Sequence, residues 1–217
     1  FSESHAWAGW VLIALAVFGL LTSLGINRVP AAAPTKEWRV NFIGDLLSQT
    51  QFMRKDRVLS LAVLGNTYFF FLAALIQQYT IYAYGKDLLG LDESEITTYL
   101  MSAMAVGIGV GSYAAGHLSG KEIENGLVPL GSFGMTIFCA FLAWQDHTRT
   151  CVVTGLALYG FFAGFFIVPV TALIQHRPER TNKGAVIAAS NFLSFVGIFL
   201  AAGIFYLLGG VLELNPR

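Results

Sequence analysis

Residues 151–174 read CVVTGLALYGFFAGFFIVPVTALI, a run without a single charged side chain. A transmembrane helix needs about 20 consecutive, mostly apolar residues, so this run is long enough to cross a bilayer. Five more runs of similar character accompany it, at residues 6–26, 58–82, 97–116, 126–144 and 184–211. We therefore predict an all-α fold, that of a polytopic membrane protein with six transmembrane helices.

The charged residues lie between these runs and never inside them. The chain has 13 Lys and Arg and 13 Asp and Glu, together 12% of its residues, against about 25% in an ordinary soluble domain. A charge in hydrocarbon is costly, which explains both the shortage and the sorting. The formal net charge is zero, so nucleic acid is not an expected partner. Cys139 and Cys151 have no metal-binding or disulfide spacing, and no cofactor or metal is predicted.

Basic residues concentrate in alternate connections, which predicts how the chain sits in the membrane. The connections 27–57, 117–125 and 175–183 carry ten Lys and Arg, whereas the remaining ones carry three. Lys- and Arg-rich loops stay in the cytoplasm, so both ends of the chain are expected on the non-cytoplasmic side. The first span follows neither Met nor a positively charged leader region, and we expect the chain to be a piece of a longer protein.

The longest polar connection, residues 27–57, is expected to contain a short helix. Pro30 and Pro34 break any helix that continues from the first span. Beyond them, apolar residues recur at helical spacing, namely Phe42, Ile43, Leu46, Leu47 and Met53. This helix either lies on the inner membrane face or packs on the bundle. One span, a basic linker and five more spans indicate a transporter with two halves.

Three stretches resemble one branch of the major facilitator superfamily. Residues 107–131, GIGVGSYAAGHLSGKEIENGLVPLG, are similar to its connection between helices eight and nine. Residues 168–178, VPVTALIQHRP, with the following KG at 183–184 and AASNFL at 188–193, are similar to the connection between helices ten and eleven. Residues 84–90, YGKDLLG, are similar to the outer end of helix seven. The branch is that of bacterial lysophospholipid transporters, some of them fused to acyltransferase and acyl-ligase domains.

The resemblance implies which part of a twelve-helix fold the chain covers. Residues 1–26 correspond to the last helix of the N-terminal half, 27–57 to the cytoplasmic central linker, and 58–217 to the C-terminal half without its final helix. It also implies the inner membrane of a bacterium, a lysophospholipid substrate, and an N-terminal half as the missing partner. Gly116 and Gly120 belong to a loop to which the family ascribes gating. Gly120 stands where the family signature has Asp, and of its basic residues only Lys121 is present, which weakens charge-based gating here.

Polar residues inside apolar spans are the first candidates for substrate binding. Asn66 and Gln77 lie eleven residues apart, about three helical turns, and Thr67 and Gln78 repeat this offset. This stripe either lines a water-filled cavity or joins helices by hydrogen bonds. Asn191 is expected at a depth similar to that of Asn66, so the two amides either contact a lipid headgroup or bond neighbouring helices.

Two further candidates lie near the cytoplasmic end of the fifth span. Arg177 either attracts a lipid phosphate through its guanidinium group or only anchors the loop as a positive-inside residue. Pro169 lacks a backbone N–H and is either a hinge for alternating access or a tolerated kink.

Glycine and aromatic clusters complete the pattern. The rows Gly107-x3-Gly111 and Gly160-x3-Gly164 predict faces for close helix packing. The phenylalanines within 69–71 and 161–166 are expected to pack or to meet lipid, with a minority lining an acyl-chain groove.

Taken with the resemblance, these features favour a secondary transporter that flips lysophospholipid by alternating access. An exporter of drugs or small metabolites with the same fold is an alternative, although it would need more polar cavity residues. The membrane-anchoring part of a phospholipid acyltransferase is an alternative of another class. Such enzymes use His followed five residues later by Asp, and none of the four histidines here has that partner. The chain itself is therefore not expected to be an enzyme.

Overall fold

The computed structural model describes residues 2–26, 42–87, 89–120, 122–144 and 148–211, and the regular structure in these ranges is helical throughout. This confirms the predicted all-α fold. The chain divides into two compact units, Phe1–Trp38 and Arg39–Arg217. Pro30 and Pro34, which the sequence suggested as helix breakers, lie outside the described residues.

The described part of the first unit is one helix, α1, Ser2–Ser23. Large apolar side chains are exposed along it from Trp10 onward, including Leu12 and Phe18. The Thr22 hydroxyl donates back to the Phe18 carbonyl at 3.0 Å, so this polar group is satisfied within the helix. A helix that is apolar all round requires an apolar environment, as the sequence predicted for this segment.

The second unit contains eight α-helices in the described residues: α2 Phe42–Lys55, α3 Arg57–Ile76, α4 Tyr84–Asp87, α5 Glu93–Glu95, α6 Ser102–Ser119, α7 Leu127–Ala143, α8 Arg149–His176 and α9 Lys183–Phe205. Three π-helical segments continue them. Gln77–Ala83 extends α3, Ile96–Met101 joins α5 to α6, and Tyr206–Val211 extends α9.

Within the described residues, four helices are long and apolar enough to cross a membrane: Arg57–Ile76, Glu93–Ser119, Arg149–His176 and Lys183–Leu208. Two shorter apolar helices, Gly9–Ser23 and Leu127–Ala143, coincide with the two remaining predicted spans. Each of the six apolar runs thus corresponds to a helix. The protein is a multi-pass membrane protein.

Two ion pairs, one at the start of α8 and one directly after its end, mark the opposite ends of the second unit. Arg149 at the start of α8 lies 3.3 Å from the Glu95 carboxylate, and its guanidinium carbon lies 3.9 Å from the centre of the Tyr99 ring. Arg177, directly after α8, lies 2.5 Å from the Asp56 carboxylate. The basic segments 54–57 and 177–183 therefore lie at the same end of the unit. These two basic segments thus share one end, as the sequence predicted, whereas the orientation of the chain in the membrane stays a prediction.

Glycines bring α6 and α8 into backbone contact. A Cβ atom added at Gly107 or Gly111 would collide with the carbonyl oxygen of Ala157 or Phe161. Reciprocally, a Cβ at Gly160 would collide with the Met104 carbonyl oxygen. The two predicted glycine rows thus face each other, which confirms their role in close packing. Since hydrophobic burial does not drive association in lipid, such close contact is a main source of attraction between helices.

Helix α2 packs on the bundle. Met53 is buried in one cluster with Leu59 of α3 and Val186 of α9, and Leu46 packs against that cluster, whereas Leu47 is exposed. Of the two positions expected for this helix, the structure has the packed one. It also places α2 in the compact unit of α3–α9, although the sequence had put it in a linker. The domain limits drawn from the resemblance stay a prediction.

The exterior of the second unit is apolar. Tyr113, Phe133 and Phe199 are each more than 60% exposed, and the charged side chains described above cluster at the helix ends. A soluble monomer rarely exposes such continuous apolar surface. Hydrocarbon is the solvent that matches it.

Candidate functional site

A small polar cluster is buried where α3 meets α9. The exposed fraction of Asn66 is 4%, and Ser190 and Ser194 are equally buried. The Asn66 Nδ2 donates to Ser194 Oγ at 2.8 Å and lies 3.5 Å from Ser190 Oγ. Ser194 Oγ in turn donates to the Ser190 carbonyl at 3.0 Å. These bonds hold the two helices together through their polar groups, as is common in membranes.

The spacing of small residues along α9 creates this contact. Ser190 and Ser194 are four residues apart and Gly197 follows after three more, so all three share one face of the helix. A Cβ atom at Gly197 would lie 2.9 Å from the Thr67 carbonyl oxygen, which shows how closely the backbones approach. The sequence reading missed Ser190 and Ser194, although their spacing on one face of an apolar helix was a visible signal.

Two neighbouring polar atoms of α3 are buried and lack a hydrogen-bond partner among the described residues. They are the Asn66 Oδ1 and the Thr67 Oγ1. An amide oxygen accepts up to two hydrogen bonds, and a hydroxyl both donates and accepts. An unpaired buried polar group is costly, and each such group in a native protein needs an explanation. Hydrogen-bond donors from outside the chain can satisfy both of these atoms.

The other intramembrane candidates are not part of this cluster. Asn191 lies at the same depth as Asn66, since it adjoins Ser190 along α9, but its side chain is exposed. Gln77 is half-buried at the end of α3, and Gln78 is exposed in the π-helical segment that follows. The structure therefore brings together Asn66 and Thr67, and leaves the two glutamines and Asn191 apart from them.

Arg177 is engaged at the end of α8. Its Nε donates to Asp56 Oδ2 at 2.5 Å, while Asp56 Oδ1 accepts from the backbone N–H groups of Val58 and Leu59 and so caps α3. The hydrogen bond from Arg177 is the main cause that lowers the pKa of Asp56. Arg177 thus anchors α8 to the start of α3. The sequence reading missed Asp56, although an acidic residue directly before an apolar run is a helix-start signal.

The hinge and gating candidates have contrasting surroundings. Pro169 lies in the interior of α8 and is fully buried. Gly116, within α6, is exposed, and nothing lies within 4 Å of an added Cβ atom. Gly120 ends α6 with φ +58°, a conformation that disfavours other residues. This backbone requirement is one physical reason for glycine at this position. Lys121 lies outside the described residues.

An apolar groove of about 650 Å³ lies between α3, α7 and α8. Phe69 and Phe166, which stack with ring centres 5.8 Å apart, line it together with Met135. The hydroxyls of Ser132 and Thr136, also in its wall, donate to carbonyls of their own helix. The groove is therefore suited to hydrocarbon and offers little to orient a charged headgroup. Within the described ranges, no group of three His, Cys, Asp or Glu could hold a metal ion.

A helical bundle with a hydrocarbon-facing exterior and a buried polar contact defines a polytopic membrane protein. Residues 4–202 match the family model of the Major Facilitator Superfamily. The chain belongs to this superfamily.

Individual proteins of the superfamily are also similar to this chain. The chain is 30% identical over 210 residues to the lysophospholipid transporter LplT of Klebsiella pneumoniae subsp. pneumoniae. This match covers 95% of the chain and 52% of the relative. It is 28% identical over 209 residues to LplT of Enterobacter sp., with the same coverage. It is 27% identical over 209 residues to LplT of Escherichia coli O157:H7, and this match covers 92% of the chain and 52% of the relative. The chain thus spans about half the length of these relatives. No solved structure gives a significant match.

Proposed function

We propose that this chain is part of a secondary transporter that moves lysophospholipid across the inner membrane of a bacterium by alternating access. The similarity over 95% of the chain to relatives named lysophospholipid transporters carries the proposal. Because the chain spans 52% of such a relative, we expect a second transporter half as its partner. On this proposal the end of the unit with Asp56 and Arg177 faces the cytoplasm, and both ends of the chain lie on the other side.

The polar contact of α3 and α9 is the proposed headgroup site. Asn66 Oδ1 and Thr67 Oγ1 are buried without a partner in the described residues, and a substrate can supply the missing donors. The phosphodiester of a lysophospholipid has only acceptors, but its glycerol hydroxyl and, in lysophosphatidylethanolamine, its ammonium group donate. We therefore expect these donors, and not the phosphate, to meet Asn66 Oδ1, whereas the Thr67 hydroxyl can accept from such a donor or donate to the phosphate.

Access to these atoms requires movement, because both are closed off in the described conformation. A shift of α9 against α3 would open them, since Ser194 and Gly197 form that contact. Pro169 within α8, and the loop with Gly116 and Gly120, stay candidates for hinge or gate. Gln77, Gln78 and Asn191 stay candidates for contacts along the substrate path. Transport needs no chemistry on the substrate, and we assign no catalytic residue.

The test is transport by the full-length protein in proteoliposomes. Fluorescent lysophosphatidylethanolamine is loaded in the inner leaflet, and its arrival outside is followed by extraction with albumin. We expect protein-dependent movement that unlabelled lysophosphatidylethanolamine inhibits. Diacyl phosphatidylethanolamine with the same label is the control for unspecific flipping. Export of ethidium without any movement of the lysolipid would replace this proposal with the drug exporter.

A further inference from the structure

Five basic residues at one end of the second unit have no ion-pair partner among the described residues: Arg54, Lys55, Arg57, Arg180 and Lys183. The first four are exposed, and Lys183 is half-buried. We call these five residues the basic surface. Arg177 is separate from it, since it pairs with Asp56.

The fold brings the two segments of the basic surface together. The contact between Asp56 and Arg177 joins the segment 54–57 to the segment 177–183. Beneath it, Met53, Leu59 and Val186 share one buried cluster, which ties the end of α2 to the first turns of α3 and α9. Cations that are more than 120 residues apart in sequence therefore lie at one end of the bundle.

The charge of this region is strongly positive. Segments 54–57 and 177–183 contain six Lys and Arg and two acidic residues, Asp56 and Glu179, for a formal charge of +4. Asp56 is already used, because it caps α3 and pairs with Arg177. The remaining cations form no ion pair in the described part of the chain, and Glu179 is the one other acidic residue within the two segments.

The position of the surface points to a lipid headgroup. The membrane-crossing helices α3 and α9 begin at Arg57 and Lys183, so the basic residues lie where hydrocarbon gives way to headgroups. Long basic side chains reach from such positions into the phosphate layer. Clusters of four to eight Lys and Arg directly cytoplasmic of a transmembrane helix attract anionic lipids.

We propose that the basic surface binds the phosphate headgroup of an anionic bilayer phospholipid. This lipid is a resident ligand at the edge of the helix bundle and is distinct from the transported lysolipid. Arginine donates to phosphate in a bidentate fork, and lysine adds point charge. Occupation of the site would neutralise the repulsion between the two segments and hold the ends of α2, α3 and α9 together. The proposal does not depend on which substrate the protein carries.

The experiment counts lipids bound to the full-length protein by native mass spectrometry during titration with phosphatidylglycerol or, for comparison, phosphatidylcholine. The neutral variant carries Arg54→Gln, Lys55→Gln, Arg57→Gln and Arg180→Gln, and leaves Asp56 and Arg177 intact. The charge-preserving control carries Lys at the three arginine positions. A second control, Lys86→Gln, removes an exposed charge from the other end of the unit.

We expect the neutral variant to bind phosphatidylglycerol at least about tenfold more weakly, with phosphatidylcholine binding unchanged. Lys86→Gln should bind like the unmodified protein, and the charge-preserving control should lose less affinity than the neutral variant, because it keeps the charge but not the bidentate fork. Equal binding of phosphatidylglycerol by the neutral variant would overturn the proposal. Should that variant aggregate, the test is phosphatidylglycerol binding by the unmodified protein at rising salt concentration. Binding to a charge-driven site weakens as salt rises, so binding that does not change with salt would refute the proposal.

Competition separates the possible sources of phosphate. Inorganic phosphate at matched concentration should not displace phosphatidylglycerol, because it lacks the acyl chains that hold a lipid at the interface. Displacement by inorganic phosphate would overturn the lipid assignment. Displacement by an equal amount of lysophosphatidylethanolamine would also overturn it, because the surface would then belong to the path of the transported lipid.

Discussion

Alanine at Gly111 would test the backbone contact of α6 with α8. A Cβ atom there would overlap the carbonyl oxygen of Phe161, so the two helices would have to move apart. Overpacking of this kind costs about 1–3 kcal/mol. Gly109 lies two residues earlier on the same helix, and a Cβ atom there meets nothing within 4 Å. Gly109→Ala is therefore the matched control.

The comparison of these two variants isolates the contact. Alanine favours a helix over glycine by about 1 kcal/mol, and this gain is common to both variants. The free energy of unfolding should then be about 1–3 kcal/mol lower for Gly111→Ala than for Gly109→Ala. The assay is unfolding of the purified full-length protein in detergent, followed by tryptophan fluorescence. Equal stability of the two variants would contradict the close contact and, with it, the packing role of both glycine rows.

Three further predictions concern the polar groups. Asn66→Leu should reduce lysolipid transport several-fold while expression and folding persist, and the exposed Asn191→Leu should reduce it less; equal activity of Asn66→Leu and the unmodified protein would make Asn66 a packing residue. Because the folded state lowers the pKa of Asp56 below its ordinary 3.8, stability from this carboxylate is present above that value and is lost as pH falls through the lowered pKa. Unfolding temperatures measured across that range should thus drop less in Asp56→Asn, and parallel curves would exclude the ion pair. Finally, cysteine at Lys86 should react with an impermeant maleimide in intact cells and cysteine at Arg180 only after permeabilisation, so the reverse pattern would invert the proposed orientation.

The membrane helices could be predicted closely from sequence. The apolar run 58–82 corresponds to α3 with its π-helical extension, which together span 57–83. The run 151–174 lies within α8, Arg149–His176. This agreement has a physical cause, because a helix needs a run of about 20 apolar residues to cross the hydrocarbon core of a membrane. The glycine rows were also readable, because small residues four positions apart share one helix face.

The candidate site was only partly predictable. Asn66 stood out as an amide in an apolar run, but its partners Ser190 and Ser194 lie more than 120 residues further along the chain. Arg177 was recognised as a surface cation, whereas its pairing with Asp56 appeared only in the structure. The sequence located the linker helix along the chain but did not decide whether it lies on the membrane face or packs on the bundle. Met53 joins its buried cluster only in the folded bundle.

The sequence by itself determined that the chain crosses a membrane, where its helices lie, and which connections share a side, because each of these depends on the transfer of single segments between water and hydrocarbon. The tertiary structure decided which faces of those helices meet. Spans that are apolar nearly all round do not encode their own rotation about the helix axis. That rotation is settled by close contacts, such as Gly111 against Phe161 and Asn66 against Ser194, which form only when distant segments pack together.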